Sequence, residues 1–229
     1  MKLSKKITLR VKLIKRLFPK LVRLVKLLTK VVLLLILLTI ISLSVYKITA
    51  TRYQYDYALE TELKYWDTKN KIINEISEFI KNGSDNSDLS PIILLNLCDK
   101  YDIDVRLALA QGKVESHFGT KGLARRTNSV WNMGAYDGYK IDEILGIYKY
   151  PHPNKSIEPY LKSIKYNYLG GTKIEYDLLN DFVNRSGHRY ASYPNYENEL
   201  KIVWEEINTT TELDSLLSIY KKYRLELNR

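Results

Sequence analysis

The chain is predicted to be mainly helical, with a transmembrane helix and a helical stalk leading into an α+β domain that carries a small β-hairpin lobe. Three observations predict this. An uncharged apolar run fills Val31 to Tyr46. From Leu59 to Ile80, apolar residues recur at steps of three, four or seven. From Leu89 onward, helix-start and helix-stop signals recur, interrupted by the aromatic and β-branched stretch Asn128 to Tyr150. At 229 residues, there is room for one domain of about 120 residues plus appendages.

Residues 1–30 hold eleven Lys and Arg and no acidic residue. Their apolar pairs Leu13/Ile14, Leu17/Phe18, Leu21/Val22, Leu24/Val25 and Leu27/Leu28 fall at helical spacing between the cations, the pattern of an interfacial amphipathic helix. Pro19 is expected to kink that helix or to end a first segment. The formal net charge of +10 is misleading about the remainder, where 25 basic residues face 26 acidic ones. A near-neutral remainder argues against a nucleic-acid-binding domain.

The run Val31 to Tyr46 reads as the core of a membrane span assigned to residues 31–50. Sixteen residues give about 24 Å of helix, short of a hydrocarbon core of about 30 Å. Snorkelling of Lys30 and Lys47 extends the segment to Leu27 through Ala50, about 36 Å. Cations crowd the N-terminal side and are sparse beyond it, so the positive-inside rule puts the N-terminus in the cytoplasm and the remaining chain in the periplasm or outside the cell. Ile48-Thr49-Ala50 is a poor cleavage site, which favours an uncleaved signal-anchor.

Residues 51–88 follow as stalk and linker. Leu59, Leu63, Trp66, Ile73, Ile76 and Ile80 form one stripe, able to pack on the following domain or to pair with a second copy as a homodimer. Gly83 to Asp88 supplies the polar linker. Ser90-Pro91 starts a helix, and Asp104 caps a second one over Val105 to Ser116, ended by Gly119 and Gly122. The hairpin lobe is centred on the turn signal Asp137-Gly138. Helices resume near Ser156, over Tyr176 to Asn184, over Tyr196 to Ile207 and over Glu212 to Leu227. The domain is bounded at 89–208, leaving 209–229 as a C-terminal helix outside it. Cys98, the sole cysteine, excludes an intramolecular disulfide and is expected in the core.

Glu115 lies in the last turn of the Asp104-capped helix, among Leu109, Val114 and Phe118. Desolvation beside apolar side chains favours the protonated carboxyl, which makes it a candidate general acid. Glycosidic cleavage needs such a group.

Glu115-Ser116, the aromatic Phe118, Gly119-Thr120, Leu123-Ala124 and Asn128-Ser129-Val130-Trp131-Asn132-Met133-Gly134 together resemble the glucosaminidase family of bacterial and phage peptidoglycan hydrolases. These are endo-β-N-acetylglucosaminidases of the flagellar-hydrolase and autolysin type, in the lysozyme-like superfamily. Ser156 to Leu161 is similar to that family's helix after its small sheet, and Tyr190-Ala191-Ser192-Tyr193-Pro194-Asn195-Tyr196 to its tyrosine motif. The resemblance spans Leu89 to Asn208 and departs from the family at Trp131 to Gly134, where a phenylalanine-glycine-isoleucine run is commoner.

The resemblance implies a lysozyme-like domain acting on peptidoglycan glycan strands, with Glu115 as catalytic acid and Tyr190 as the tyrosine across the cleft. A second carboxylate is sought in the hairpin lobe, where Asp137 is the candidate and Asp142 and Glu143 are rivals; assistance by the substrate's acetamido group is the alternative. Phe118 and Trp131 are expected to stack on sugars, and Asn128 and Asn132 to hold hydroxyl or acetamido groups. Tyr193 and Tyr196 complete the substrate-binding set, with Tyr196 and Pro194 also shaping the turn. No cofactor is expected, and no metal, because His117, His152 and His188 lack ligand spacing. Two other functions share this pattern: a lytic transglycosylase or muramidase of the same fold, and a non-catalytic peptidoglycan-binding anchor.

Overall fold

The computed structural model describes residues 2–133 and 149–228, with side chains from residue 15 onward. The centre of the expected hairpin lobe, with Asp137, Asp142 and Glu143, lies outside the described residues. Two compact units divide the chain, residues 1–60 and 61–229.

The first unit is helical throughout, part of α1 (Lys2–Gly83). The helix runs on through Pro19 and does not end a first segment there. From Val31 to Tyr46, where no charged residue occurs, exposed apolar side chains lie on every face of the helix. Its hydroxyls are satisfied within the helix: Thr39 Oγ1 donates to the Ile36 carbonyl at 2.7 Å and Ser44 Oγ to that of Ile40 at 2.9 Å. In hydrocarbon no water is present to take those bonds. By length and composition, α1 is the one candidate membrane span among the described residues.

The second unit takes in the last part of α1. Ile72, Ile76, Phe79 and Ile80 are buried in its core, the i, i+4, i+7, i+8 face of a helix. Of the segment expected as stalk, residues 61–83 therefore lie in the folded unit, and Leu63 and Trp66 stay exposed. The polar stretch that follows is tied down, with Ser84 Oγ donating to Thr120 Oγ1 and Ser87 Oγ to the Phe118 carbonyl, both at 2.8 Å.

Helix α2 (Pro91–Tyr101) begins with proline at its first turn and ends at Asp102, in the left-handed region at φ 51°. Helix α3 (Val105–Ser116) is capped by Asp104, whose side chain accepts from the Arg106 amide at 2.9 Å. Leu107, Ala108, Leu109 and Ala110 on α3 are all but fully buried. After the short α4 (Ala124–Thr127), helix α5 (Ile157–Ser163) runs into a π-helical turn over Ile164–Leu169. The remaining helices are α6 (Glu175–Leu178), α7 (Tyr196–Thr210) and α8 (Leu213–Leu227). The most extensive packing between helices joins α3 to α7.

Two expectations differ from this arrangement. The helix over Tyr176 to Asn184 stops at Leu178, because the sequence beyond it is turn chemistry. Asn184 Oδ1 accepts from the Ser186 and His188 amides, Gly187 takes φ 80°, and Val183 bridges Arg189. The C-terminal helix, expected as an appendage, buries Leu213, Leu216 and Tyr220. Tyr220 donates to Asp99 at 2.5 Å and stacks on Tyr65 of α1 with ring centroids 5.0 Å apart, and Arg224 pairs with Asp99 at 2.9 Å. No strand occurs among the described residues. Cys98 is buried, and desolvation pushes its thiol well up.

Candidate active site

Helix α3 delivers Glu115 in its final turn and then stops abruptly. His117 and Phe118 both adopt left-handed backbone, at φ 48° and 57°, which costs roughly 1–2 kcal/mol per non-glycine residue. The Phe118 and His117 amides satisfy the Gly112 and Lys113 carbonyls at 2.9 and 3.0 Å. Gly112 admits this reversal, since a β-carbon there would meet Phe118 Cδ1 at 3.3 Å and Trp131 Nε1 at 3.5 Å.

Ser116 staples the loop 129–133 beside the acid. Its hydroxyl donates to the Val130 carbonyl at 2.6 Å and accepts from the Gly119 amide at 2.8 Å. The loop holds Asn132 at φ 46°, a conformation asparagine tolerates better than most residues. Asn132 Nδ2 then donates both to the Glu115 carbonyl at 2.8 Å and to Oε2 at 3.2 Å.

The other carboxylate oxygen is held from α7. Tyr196 Oη donates to Glu115 Oε1 at 2.6 Å and accepts from Gln111 Nε2 at 2.9 Å. Gln111 Oε1 in turn accepts from Tyr160 Oη at 2.5 Å. Burial raises the Glu115 pKa above its ordinary value, and the bonds from Tyr196 and Asn132 oppose that rise. The group is thus a carboxyl biased toward its protonated form, with two donors already aimed at the anion it becomes.

Tyr190 supports this arrangement from behind. Its hydroxyl donates to the Trp131 carbonyl at 2.7 Å, and its ring stacks on Tyr196 at 5.9 Å and 11°. Phe182 meets both rings edge-on, at 5.1 and 6.0 Å.

Two of the expected sugar-stacking residues need correction. Phe118 is 1% exposed, with its edge against Phe79 of α1. Trp131 is fully buried, stacked on Tyr160 at 4.3 Å and donating Nε1 to the Ala108 carbonyl at 3.0 Å. Neither offers a free ring face to a sugar; both are part of the hydrophobic core. Asn128 caps α4 at φ 57° and spends its amide on the Tyr150 carbonyl at 2.8 Å. Tyr193, 51% exposed, has a ring open to solvent. Asp137 lies outside the described residues.

Tyr196, read from the sequence as a substrate contact and turn former, touches the acid directly. Gln111 was not singled out at all. The available signal was its position one helical turn before Glu115, a polar residue on the buried face of α3. His117, the left-handed residue that ends α3, is partly buried, its pKa lowered by burial and by Lys121 and Lys113. No group of three or more metal-ligating side chains occurs among the described residues.

Among solved structures, the chain is similar to the catalytic domain of the autolysin Auto from Listeria monocytogenes. The two share 20% identity and a TM-score of 0.41, over 62% of this chain and 87% of that one. No curated protein matches. The family model described as mannosyl-glycoprotein endo-beta-N-acetylglucosaminidase matches residues 93–209, a stretch that runs from within α2 to the last turn of α7. It contains Glu115, Asn132, Tyr190 and Tyr196, and on that match the chain belongs to the glucosaminidase family of glycoside hydrolases.

Proposed function

We propose that this protein is a membrane-anchored peptidoglycan hydrolase that cleaves a β-1,4 glycosidic bond as an endo-β-N-acetylglucosaminidase, with Glu115 as general acid. The observation that carries this reading is the Glu115 carboxyl itself, raised in pKa by burial yet hydrogen-bonded by Tyr196 and Asn132. Burial favours the protonated carboxyl, and the two donors stabilise the carboxylate once the proton has moved to the glycosidic oxygen. The C–O bond breaks as the leaving sugar takes that proton. Water completes the reaction at the opposite face, activated by Asp137 or preceded by participation of the substrate's acetamido group. Tyr190 acts through Tyr196, holding its ring, and Tyr193 offers an aromatic face to a sugar.

Residues 31–50 serve as an uncleaved anchor, with residues 1–30 in the cytoplasm against the anionic inner leaflet. The hydrolase unit stands on the opposite side, in the periplasm or outside the cell, where the glycan strands are. The charge-free run of exposed apolar side chains from Val31 to Tyr46 supports the span, and the eleven cations of residues 1–30 support its orientation.

The test is digestion of purified sacculi by the full-length protein in detergent and by its Glu115→Gln variant, followed by reduction and mass analysis of the fragments. Reducing-end N-acetylglucosamine from the unaltered protein alone is the expected result. Anhydromuramic ends would make it a lytic transglycosylase, and reducing muramic acid a muramidase. Sacculus binding without Glu115-dependent release would make it a wall-binding anchor.

A further inference from the structure

We propose that Gln111 is a positioning residue for the acid, the middle of a one-way donor chain from Tyr160 through Gln111 and Tyr196 to Glu115. This inference rests on the reading of Glu115 as the proton donor. Gln111 is fully buried, and both ends of its amide are used: Oε1 by the Tyr160 hydroxyl, Nε2 by the Tyr196 oxygen.

The direction of the chain follows from what each group can give. A carboxylate accepts only, a phenol has one proton, and an amide has a distinct donor end and acceptor end. When Glu115 has given up its proton, Tyr196 must donate to Oε1. Its oxygen must then be fed by a donor, which is the Gln111 NH2 group, and the Gln111 carbonyl must accept from Tyr160. Each bond polarises the next, so the pair behind Tyr196 strengthens its donation to the anion. Turning the amide round would place a carbonyl against Tyr196, drain its proton away from Glu115 and oblige the acid to spend its own proton inside the network. The transferable proton stays available to the glycosidic oxygen only with the amide as found.

The neighbouring titratable groups leave this role to the neutral chain. Tyr196 on α7, Tyr190 before it and Tyr160 on α5 all feel the Glu115 charge and all have their hydroxyls pushed well up by burial, so each remains a phenol. On α3 itself, Lys113 is paired with Glu206 of α7 at 2.5 Å. His117 answers to burial and to Lys121 and Lys113. Among the described residues, no lysine or arginine contributes to the Glu115 shift.

The test compares kcat and KM across pH for full-length protein in detergent on solubilised glycan strands, in the unaltered form and as Gln111→Met, Tyr160→Phe and Glu115→Gln. Methionine keeps the volume of Gln111 without its hydrogen bonds, and phenylalanine keeps the Trp131 stack. Loss of the chain leaves the carboxylate poorer in donors, so the acid ionises less readily. For Gln111→Met we expect kcat to fall up to about tenfold, the upper end of what one hydrogen bond between neutral groups is worth. KM should stay within about twofold, since ground-state binding is unaffected. The basic limb of the kcat profile should move to higher pH. Tyr160→Phe should do the same to a smaller extent, and it decides the matter if Gln111→Met fails to fold. A basic limb and kcat unchanged in Tyr160→Phe and in folded Gln111→Met, with Glu115→Gln inactive, would overturn the proposal and leave Gln111 a packing residue. Full activity in Glu115→Gln would instead overturn the reading of the acid on which it rests.

Discussion

The Tyr196 hydroxyl donates to Glu115 Oε1 across 2.6 Å and ties the first turn of α7 to the last turn of α3. The most extensively packed helix pair among the described residues therefore meets at Glu115, and the tyrosine stabilises the carboxylate more than the carboxyl. Tyr196→Phe removes that preference, together with the acceptor for Gln111 Nε2, and keeps the ring stack with Tyr190. We expect kcat to fall about 10- to 100-fold, the span of one hydrogen bond to a charged group. KM should change little, and the basic limb should move to higher pH because the acid is harder to ionise. Steady-state kinetics across pH on glycan strands measure all three.

Burial of Glu115 also makes stability depend on pH. Its folded pKa is raised above the unfolded one, so the fold favours the neutral carboxyl. That contribution is complete below the unfolded pKa and is lost as pH rises through the folded value. Glu115→Gln is neutral throughout, so it should melt above the unaltered protein at neutral pH, with the gap closing toward about pH 4, near an ordinary glutamate pKa. Thermal melts at a series of pH values read this directly, and a gap of constant size would contradict it.

Phe118 and Tyr193 should separate cleanly on substitution. Phe118 is buried against Phe79 and beneath Gly83, where a β-carbon would come within 2.6 Å of its ring. Phe118→Ala should cost about 3–5 kcal/mol of stability, the usual range for a buried phenylalanine, and reduce activity only by unfolding. Tyr193→Ala, at a ring half open to solvent, should leave the denaturant midpoint within about 0.5 kcal/mol and raise KM for long glycan strands. Urea unfolding alongside kinetics distinguishes the two.

The misassignment of Phe118 and Trp131 shows where the sequence stops being legible. The place of Glu115 in the last turn of α3 was readable, because Asp104 caps that helix and Gly119 follows its end. The aromatics beside it carry no mark of whether their faces turn to solvent or to Phe79 and Tyr160, since that depends on α1 and α5, far away in the chain. Gln111 was invisible for the same reason. Its partners Tyr160 and Tyr196 are 49 and 85 residues distant, and only packing reveals a polar side chain on a buried face as a relay. The positions of α2, α3, α7 and α8 were legible from caps and apolar periodicity. The 182–190 turn was not, because apolar residues there mimic a helical period that Asn184 and Gly187 break.

Helix α8 lies beyond the residues matched by the family model, yet it should be indispensable. Leu213, Leu216 and Tyr220 are buried, and each such side chain is worth about 1.5–3 kcal/mol. Together they contribute about 5–9 kcal/mol, comparable to the whole stability of a typical domain at about 5–15 kcal/mol. The loss would also leave Asp99 without Tyr220 and Arg224, which bond it at 2.5 and 2.9 Å. A chain ending at residue 209 should therefore lose its cooperative urea transition and its activity together, although it retains Glu115, Asn132 and Tyr196. If that shortened chain unfolded at the same midpoint as the full one, α8 would be the appendage its sequence suggested.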